Sequence, residues 1–496
     1  MLDFKDIQGN ILLGYRSFWK ARFLYFKFKT GPEGAKLGRN FLTALLDQRL
    51  ITPADWGKNK PDAATNVAIS MAGLRALQLN SETLASFPGD FQEGMRARAD
   101  DLGDIGESHP EKWDQPWRSN DVHLLLMCYS GEPNILNSRC KDLEDLAAGM
   151  LDQLQPSQDA GKLVIGKQAV PSPKEHFGFD DGLSNPDVEN ARDGTSDADV
   201  GNLDSKGNFR EVPVGEFLLG HRGEGGEVAP MPKPPLLVHN GTFLVMRKLQ
   251  QEVVRFRQYL KEEAERMMKV PGCLPDKVAG DVCKVQEYLA AKMMGRWKDG
   301  SPVDLYPDAP AGHQTNAFSY HGDEDGARCP LGAHVRRANP RDSLGFAGQI
   351  VNRRRMLRRG ITYGEFLPED ASPTSQEAQA ERGIMFLSLN ASIERQFEFI
   401  QKQWMNFGEE FKQGDDGDPI TGTRFGDGHM VGAVGPKRGA CDAKGRMVIQ
   451  GDQRTGRIPY VCSQLPNFVI TKGGEYFFMP SMTGLVLLAS GKVSTK

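Results

Sequence analysis

One imidazole stands in a stretch suited to hold it still. In Cys-Pro-Leu-Gly-Ala-His-Val-Arg-Arg-Ala-Asn-Pro-Arg (329–341), Pro330 and Gly332 fix a turn, and Pro340 stops whatever short helix follows. His334 has small apolar residues before it and Arg336 and Arg337 after it. That setting suits a flat ligand whose metal takes one axial imidazole and whose acidic side groups want arginine, as haem does. The histidine alone does not decide the matter, because an isolated histidine is more often a hydrogen-bonded structural residue.

Three further stretches carry candidate chemistry. In FGFDDGLSNP (177–186), Gly178 and Gly182 bracket Asp180 and Asp181. Glycine lets backbone approach a flat ligand closely, and an acid presented between glycines can exchange a proton with something bound above it. The plain alternative is an Asp/Gly turn. RRRMLRRGITYG (353–364) sets five arginines among Met356, Leu357 and Ile361. It reads either as a solvated basic face or as a partly inserted segment whose buried guanidinium needs an anion. Glu394, at the start of an expected helix, is a candidate to accept the far N–H of a metal-bound histidine, or else a surface acid favouring a helix N-terminus. His321, Cys329 and His334 match no zinc spacing.

The whole chain excludes several classes. It has 496 residues, and 61 basic against 65 acidic side chains leave a net charge of −4, so nothing electrostatic points to nucleic acid. No run reaches the roughly 18 apolar residues of a membrane span. MLDFKDIQGN lacks the basic and apolar regions of a secretory leader, and a cytoplasmic location is the expectation. Seven cysteines without a CxxC pair argue against a disulfide framework and fit a reducing compartment.

Periodicity then supplies the elements that must position these residues. Strands are expected at 22–29, 66–73, 121–130 and 163–170. One helix falls between the first two, on Leu37, Phe41, Leu45 and Leu46. A second follows the third strand, on Leu143, Leu146, Met150 and Leu154. A Gly- and Pro-rich acidic stretch (193–238) separates this β-α-β-β-α-β order from a restart. Strand 240–249 leads into a helix striped by Val253, Phe256, Leu260 and Ala264. Strand 383–389, helix 391–404 and strand 473–481 complete the second set. The expected fold is therefore α+β, with two tandem ferredoxin-like units, 1–230 and 231–496. Long loop insertions at 270–380 and 405–470 should carry function.

Taken together, the motifs resemble one family. GFDDG (178–182), CPLGAH (329–334), MLRRGITYG (356–364) and NASIERQFEFIQ (390–401) look like the dye-decolorizing peroxidases. DIQGNIL, EFLLGH, FLVMRKLQQ, GRW and GGEYFF resemble the family's larger members, in one order along nearly the whole chain. The resemblance implies a dimeric α+β barrel fold and one haem b per chain. His334 would be the axial ligand, Glu394 its hydrogen-bond partner, and Asp181 and Arg358 the acid–base and charge-stabilising pair. Arg359 is one residue away from the latter role. Gly178, Phe179, Gly182, Arg336 and Phe386 would contact the cofactor. It further implies that hydrogen peroxide converts the haem to a ferryl-oxo form, which oxidises bulky aromatic or dye-like substrates in one-electron steps. Trp297, Tyr363 and Trp404 are candidates to relay those electrons, or else core residues. A haem-binding or haem-trafficking protein with little peroxidase turnover is the alternative. The sequence leaves monomer and dimer both open.

Overall fold

The structure is a computed structural model that describes residues 2–15, 17–57, 60–163, 165, 172–191, 202–203, 209–424 and 445–493. The first unit runs β1 (Lys20–Phe28), α1 (Gly31–Asp47), β2 (Ala63–Ser70), β3 (Leu124–Ser130), α2 (Pro133–Ala147) and β4 (Leu151–Gly161). β3, LLLMCYS, is buried along its whole length, as a central strand with an unbroken apolar run must be. α1 has Pro32 in its first turn and buries Ala35, Gly38, Phe41, Leu42 and Leu45 on one stripe. Gly38 is required there, because a Cβ would meet the Phe28 ring at 2.7 Å.

The second set runs β5 (Thr242–Gln251), α3 (Val253–Met267), α4 (Val282–Met294), α5 (His334–Ala338), β6 (Leu357–Arg358), β7 (Ile361–Tyr363), β8 (Gly383–Asn390), β9 (Val469–Met479) and α6 (Met482–Ser490). These nine strands form one antiparallel sheet in the order β4-β1-β3-β2-β9-β5-β8-β6, with β7 also paired to β8. With β6 and β7 counted as one interrupted strand, each half repeats the same order of its own strands: fourth, first, third, second. The halves join where Phe477 and Phe478 of β9 pair with Ser70 and Ile69 of β2. At the far edges, the Thr362 hydroxyl donates to the Gly161 carbonyl at 2.6 Å, bringing β7 beside β4 and curling the sheet toward closure.

Several expectations shift. β4 lies at 151–161, before the expected 163–170, most of which is outside the described residues. LDQLQPSQDAG is a half-exposed edge strand without the apolar signal of a buried one, so periodicity passed over it. α2 accordingly ends at Ala147, and Gly149 turns the chain with φ +79°, placing Leu154 in the strand rather than on the helix. β2 stops at Ser70, whose hydroxyl caps the next helix by accepting from Gly73 N–H. Within the expected 270–380 insertion, β6 and β7 are sheet strands too short to show a period. The helix expected at 391–404 is in place but widened into π turns, with Glu398 N–H bonded to Ile393 C=O and Asn406 N–H to Gln401 C=O.

The two halves differ on one face. Arg247, Leu249 and Gln251 of β5 and Ile384 and Phe386 of β8 alternate onto a surface that opens into a cavity of about 350 Å³. Residues from 103–108, 175–185, 294–360, 397–423 and 467–471 supply the rest of its lining.

Candidate active site

The His334 stretch folds as its prolines and glycine require. Ala333 N–H closes a turn onto the Pro330 carbonyl, α5 runs for only five residues, and Pro340 follows its end. His334 opens that helix and lines the cavity. Its Nδ1 lies 3.0 and 3.1 Å from the two carboxylate oxygens of Asp418, which leaves Nε2 as the ring's remaining donor atom. Asp418 is fully buried and also accepts from Ile420 N–H, Thr421 N–H and the Thr421 hydroxyl. Burial alone would raise its pKa. The imidazole beside it, their hydrogen bond and the Thr421 N–H outweigh burial and hold the carboxyl at about 2. Burial would likewise lower the His334 pKa, and Asp418 outweighs it in the other direction.

The Asp-bearing loop is clamped from inside. Glu175 N–H bonds the Phe179 carbonyl, Gly178 N–H bonds the Glu175 carbonyl, and the Glu175 carboxylate accepts the N–H groups of Phe177 and Phe179 at 3.0 and 2.9 Å. Gly178 (φ +98°) and Gly182 (φ +77°) make the turns that an L side chain resists. The two adjacent acids separate by role. Asp180, though also in the lining, is paired with the Lys174 ammonium at 2.9 Å and accepts from Gln314. Asp181 lines the cavity, and its N–H is held by the Pro173 carbonyl at 2.7 Å.

Strand alternation separates the two arginines that the sequence left interchangeable. Arg358, on β6 opposite Ser388, faces the cavity, with Nη2 bonded to the Leu183 carbonyl at 2.5 Å and its backbone N–H to Asn185 Oδ1 at 2.9 Å. Arg359 turns away to the carbonyls of Asn10 and Ile11. Burial lowers the Arg358 pKa, and the Asp181 charge opposes that shift, so the two groups lie within electrostatic reach. A second cavity, about 380 Å³, meets the first along 181–185 and Arg358 and is walled by Tyr15, Phe18 and Tyr129. Asp181 and Arg358 therefore border both spaces.

The structure gathers His334, Asp181, Arg358, Phe179, Gly182 and Phe386 around one cavity. Other expected residues lie elsewhere. Glu394 is exposed, and its backbone N–H bonds Asp90; the partner of His334 is Asp418, 84 positions away in sequence. Arg336 is outside the cavity lining and fully buried against Asp323 at 2.9 Å, with its guanidinium over the Tyr320 ring. A short helix turns successive residues by about 100°, so the arginine two positions after His334 points away from it. Gly178 is also outside the lining, and the place of its missing side chain faces Lys298. Trp297, Tyr363 and Trp404 are 4%, 4% and 1% exposed and absent from the lining, so none presents a ring at the surface.

Sequence reasoning missed Asp418, Glu175 and Arg355. Asp418 opens an Asp-Pro-x-Thr turn, a local signal for an acid whose carboxylate caps the following N–H groups. Glu175 lines the cavity, and burial, the leading cause, pushes its pKa up to about 6 against the pull of Gln251 and two backbone N–H groups. Arg355 donates to the Ser184 carbonyl at 2.8 Å. Burial and the like charges of Arg341 and Arg358 bring its pKa down to about 9.

Comparison with known proteins bears on the same residues. Residues 6–158 match the family model of the DyP dimeric alpha+beta barrel domain. The chain is 30% identical to a dye-decolorizing peroxidase of Mycena epipterygia over 518 aligned positions, covering 99% of this chain and 87% of that one. It is 28% identical to dye-decolorizing peroxidase msp1 of Mycetinis scorodonius, with 98% and 87% covered. Among solved structures, it superposes on an ancestral D-type dye-decolorizing peroxidase with a TM-score of 0.75 at 27% identity, 98% of each chain being covered. A dye-decolorizing peroxidase in complex with 2,6-dimethoxyphenol gives 0.73 at 26% identity over the whole of both chains. With the barrel, the cavity and full-length relatives agreeing, this chain belongs to the dye-decolorizing peroxidase family and is a peroxidase.

Proposed function

We propose that the chain binds one haem b in the 350 Å³ cavity, through His334 Nε2, and uses hydrogen peroxide to oxidise bulky aromatic or dye-like molecules. The observation that carries this reading is the His334–Asp418 pair. An imidazole whose Nδ1 is anchored to a buried carboxylate presents Nε2 in a fixed tautomer and direction, which is what a metal ligand needs.

The rest of the lining fits the same group. Met294, Ile384, Phe386, Phe397 and Ile420 offer apolar contact to a flat ring. Arg296 and Arg355, whose pKa values fall to about 10 and about 9 chiefly through burial, gain stability beside an anion, as a propionate would supply. The haem, when bound, would supply the iron and the store of oxidising equivalents released when the peroxide O–O bond breaks.

The chain's own residues do the proton and charge work. Asp181 would accept the proton of one peroxide oxygen and return it to the other, so that the latter leaves as water. Arg358 stays cationic and stabilises the negative charge that develops on the breaking O–O bond. Hydrogen peroxide is small enough to approach through the second cavity, which borders both residues. The reading divides the chain near 230/231 into two ferredoxin-like units, supported by the repeated strand order. No helix among the described residues is long and apolar enough to cross a membrane. A reducing cytoplasmic setting suits the six described cysteines, all unbridged.

Absorption spectroscopy tests the proposal. The purified holoprotein should show a Soret band that shifts on one equivalent of peroxide and returns on adding a phenolic reductant. A haem-loaded protein whose band ignores peroxide would overturn the peroxide role while leaving haem binding intact.

A further inference from the structure

Three methionines, Met294, Met356 and Met405, line the cavity in which the peroxide chemistry is proposed to occur. Thioethers are readily oxidised to sulfoxides, which turns an apolar side chain into a strong hydrogen-bond acceptor. The three are not equivalent. Among the described residues, only Met405 of this set has its sulfur in a hydrogen bond, accepting from the Thr421 hydroxyl at 3.5 Å. That hydroxyl also points to Asp418 Oδ1 at 3.1 Å, and Asp418 holds His334 Nδ1. The Met405 backbone carbonyl in turn accepts from Asp418 N–H at 2.6 Å. The sulfur is therefore one hydroxyl away from the carboxylate that orients the His334 imidazole.

We infer that Met405 is an oxidative modification site, and that its conversion to the sulfoxide resets the Thr421–Asp418–His334 chain when peroxide is present without a reductant. The inference rests on the haem peroxidase reading above. Net, the Met405 thioether gives two electrons to the peroxide O–O bond and gains one oxygen, and the other oxygen leaves as water. The buried Asp418 charge favours this sulfur over Met294 and Met356, because sulfur becomes positive as it loses electrons.

The consequence follows from counting protons. Thr421 has one hydroxyl hydrogen, shared between a weak thioether acceptor and a carboxylate. A sulfoxide oxygen accepts far more strongly than thioether sulfur and draws that hydrogen to itself. Asp418, short of one donor, pulls harder on His334 Nδ1–H. The imidazole becomes more electron-donating, and the ferric state of a bound haem is favoured over the ferrous.

The test uses the holoprotein, first checked for its Soret band and peroxidase turnover, then given successive peroxide equivalents with no reductant. Peptide mass analysis should find a 16 Da gain (about one oxygen atom) on Met405 before Met268, which is 39% exposed and oxidisable from solution. The ferric/ferrous potential of the treated protein should fall, and methionine sulfoxide reductase applied to the unfolded, refolded and reloaded chain should restore it. Met405→Leu should lose a smaller fraction of its own starting activity per peroxide equivalent. Met405 unmodified in inactivated protein, or oxidised with an unchanged potential, overturns the inference while leaving the peroxidase reading standing. Absence of a Soret band or of turnover overturns both.

Discussion

Two carboxylates line or support the same cavity and behave in opposite ways. Asp418 is wrapped by His334, by two backbone N–H groups and by a hydroxyl, and its pKa is held at about 2. Glu175 is also buried and also accepts two backbone N–H groups and the Gln251 amide, yet its pKa stands at about 6. The difference is a cationic partner. An imidazole in contact repays the desolvation of Asp418, whereas the charge acting on Glu175 is the like-signed Asp181, which adds to its rise. The His334 side of the cavity is thus electrostatically committed. The loop side keeps Glu175, whose protonation can still change, beside Asp181, where proton transfer to and from peroxide is proposed.

That contrast can be broken from the committed side first. His334→Ala should abolish tight haem binding, read as loss of the Soret band at unchanged circular dichroism. His176 cannot substitute, since it is buried with Nε2 on the Tyr363 carbonyl, and His313 and His321 are exposed. On the loop side, Asp181→Asn should slow the reaction with peroxide by about 10²–10⁴ in stopped-flow and flatten its pH dependence, because the proton acceptor is gone. Arg358→Leu should slow it by about 10²–10³ while keeping the profile's shape, because guanidinium does not titrate in that range. If Asp181→Asn kept the wild-type profile, the acid–base role would belong elsewhere in the loop.

Asp418→Asn leaves His334 an acceptor but removes the negative charge. Haem affinity should drop about 10–100-fold and the ferric/ferrous potential should rise. Glu394→Gln, by contrast, should change neither, because Glu394 is exposed and far from the imidazole's bonds.

The smallest expected effect sharpens the comparison itself. The folded chain binds a proton at Glu175 more tightly than the unfolded chain does, since the carboxyl rises from 4.5 to about 6. Stability should therefore increase as pH falls from above 6 toward 4.5, by about 2 kcal/mol. Glu175→Gln should remove that component from the pH dependence of urea denaturation. Asp418 works in the opposite sense: its contribution is complete above 3.8 and is lost as pH falls toward 2. A wild-type curve that did not differ from that of Glu175→Gln between pH 5 and about 7 would mean that the buried carboxyl is better solvated than its surroundings indicate.

Much of the architecture was legible in local sequence, for a physical reason. Apolar periodicity and glycine or proline punctuation reflect burial and backbone sterics over a few neighbouring residues, and those forces fixed β1, β3, α1, α3, β5, β8 and β9 close to their expected places. The same local logic marked the turn that presents His334 and the glycines that shape the loop carrying Asp181. The polar edge strand β4 and the short strands β6 and β7 had no such signal, because ladder pairing with distant strands creates them.

Pairings across the chain were decided by tertiary structure alone. No spacing rule joins His334 to Asp418, since the carboxylate arrives on a loop whose path depends on how both insertions pack against the sheet. Arg336, next but one to the imidazole, was drawn instead to Asp323, because a buried guanidinium takes the nearest buried anion its helix face can reach. Arg358, on β6, was separated from Arg359, the residue just past it, only by the alternation of side chains along extended backbone. The sequence determined which chemical groups were present and which short segments were rigid. Long-range packing determined which of those groups face one another, because charge and hydrogen-bond partners are chosen by distance in space and not by distance along the chain.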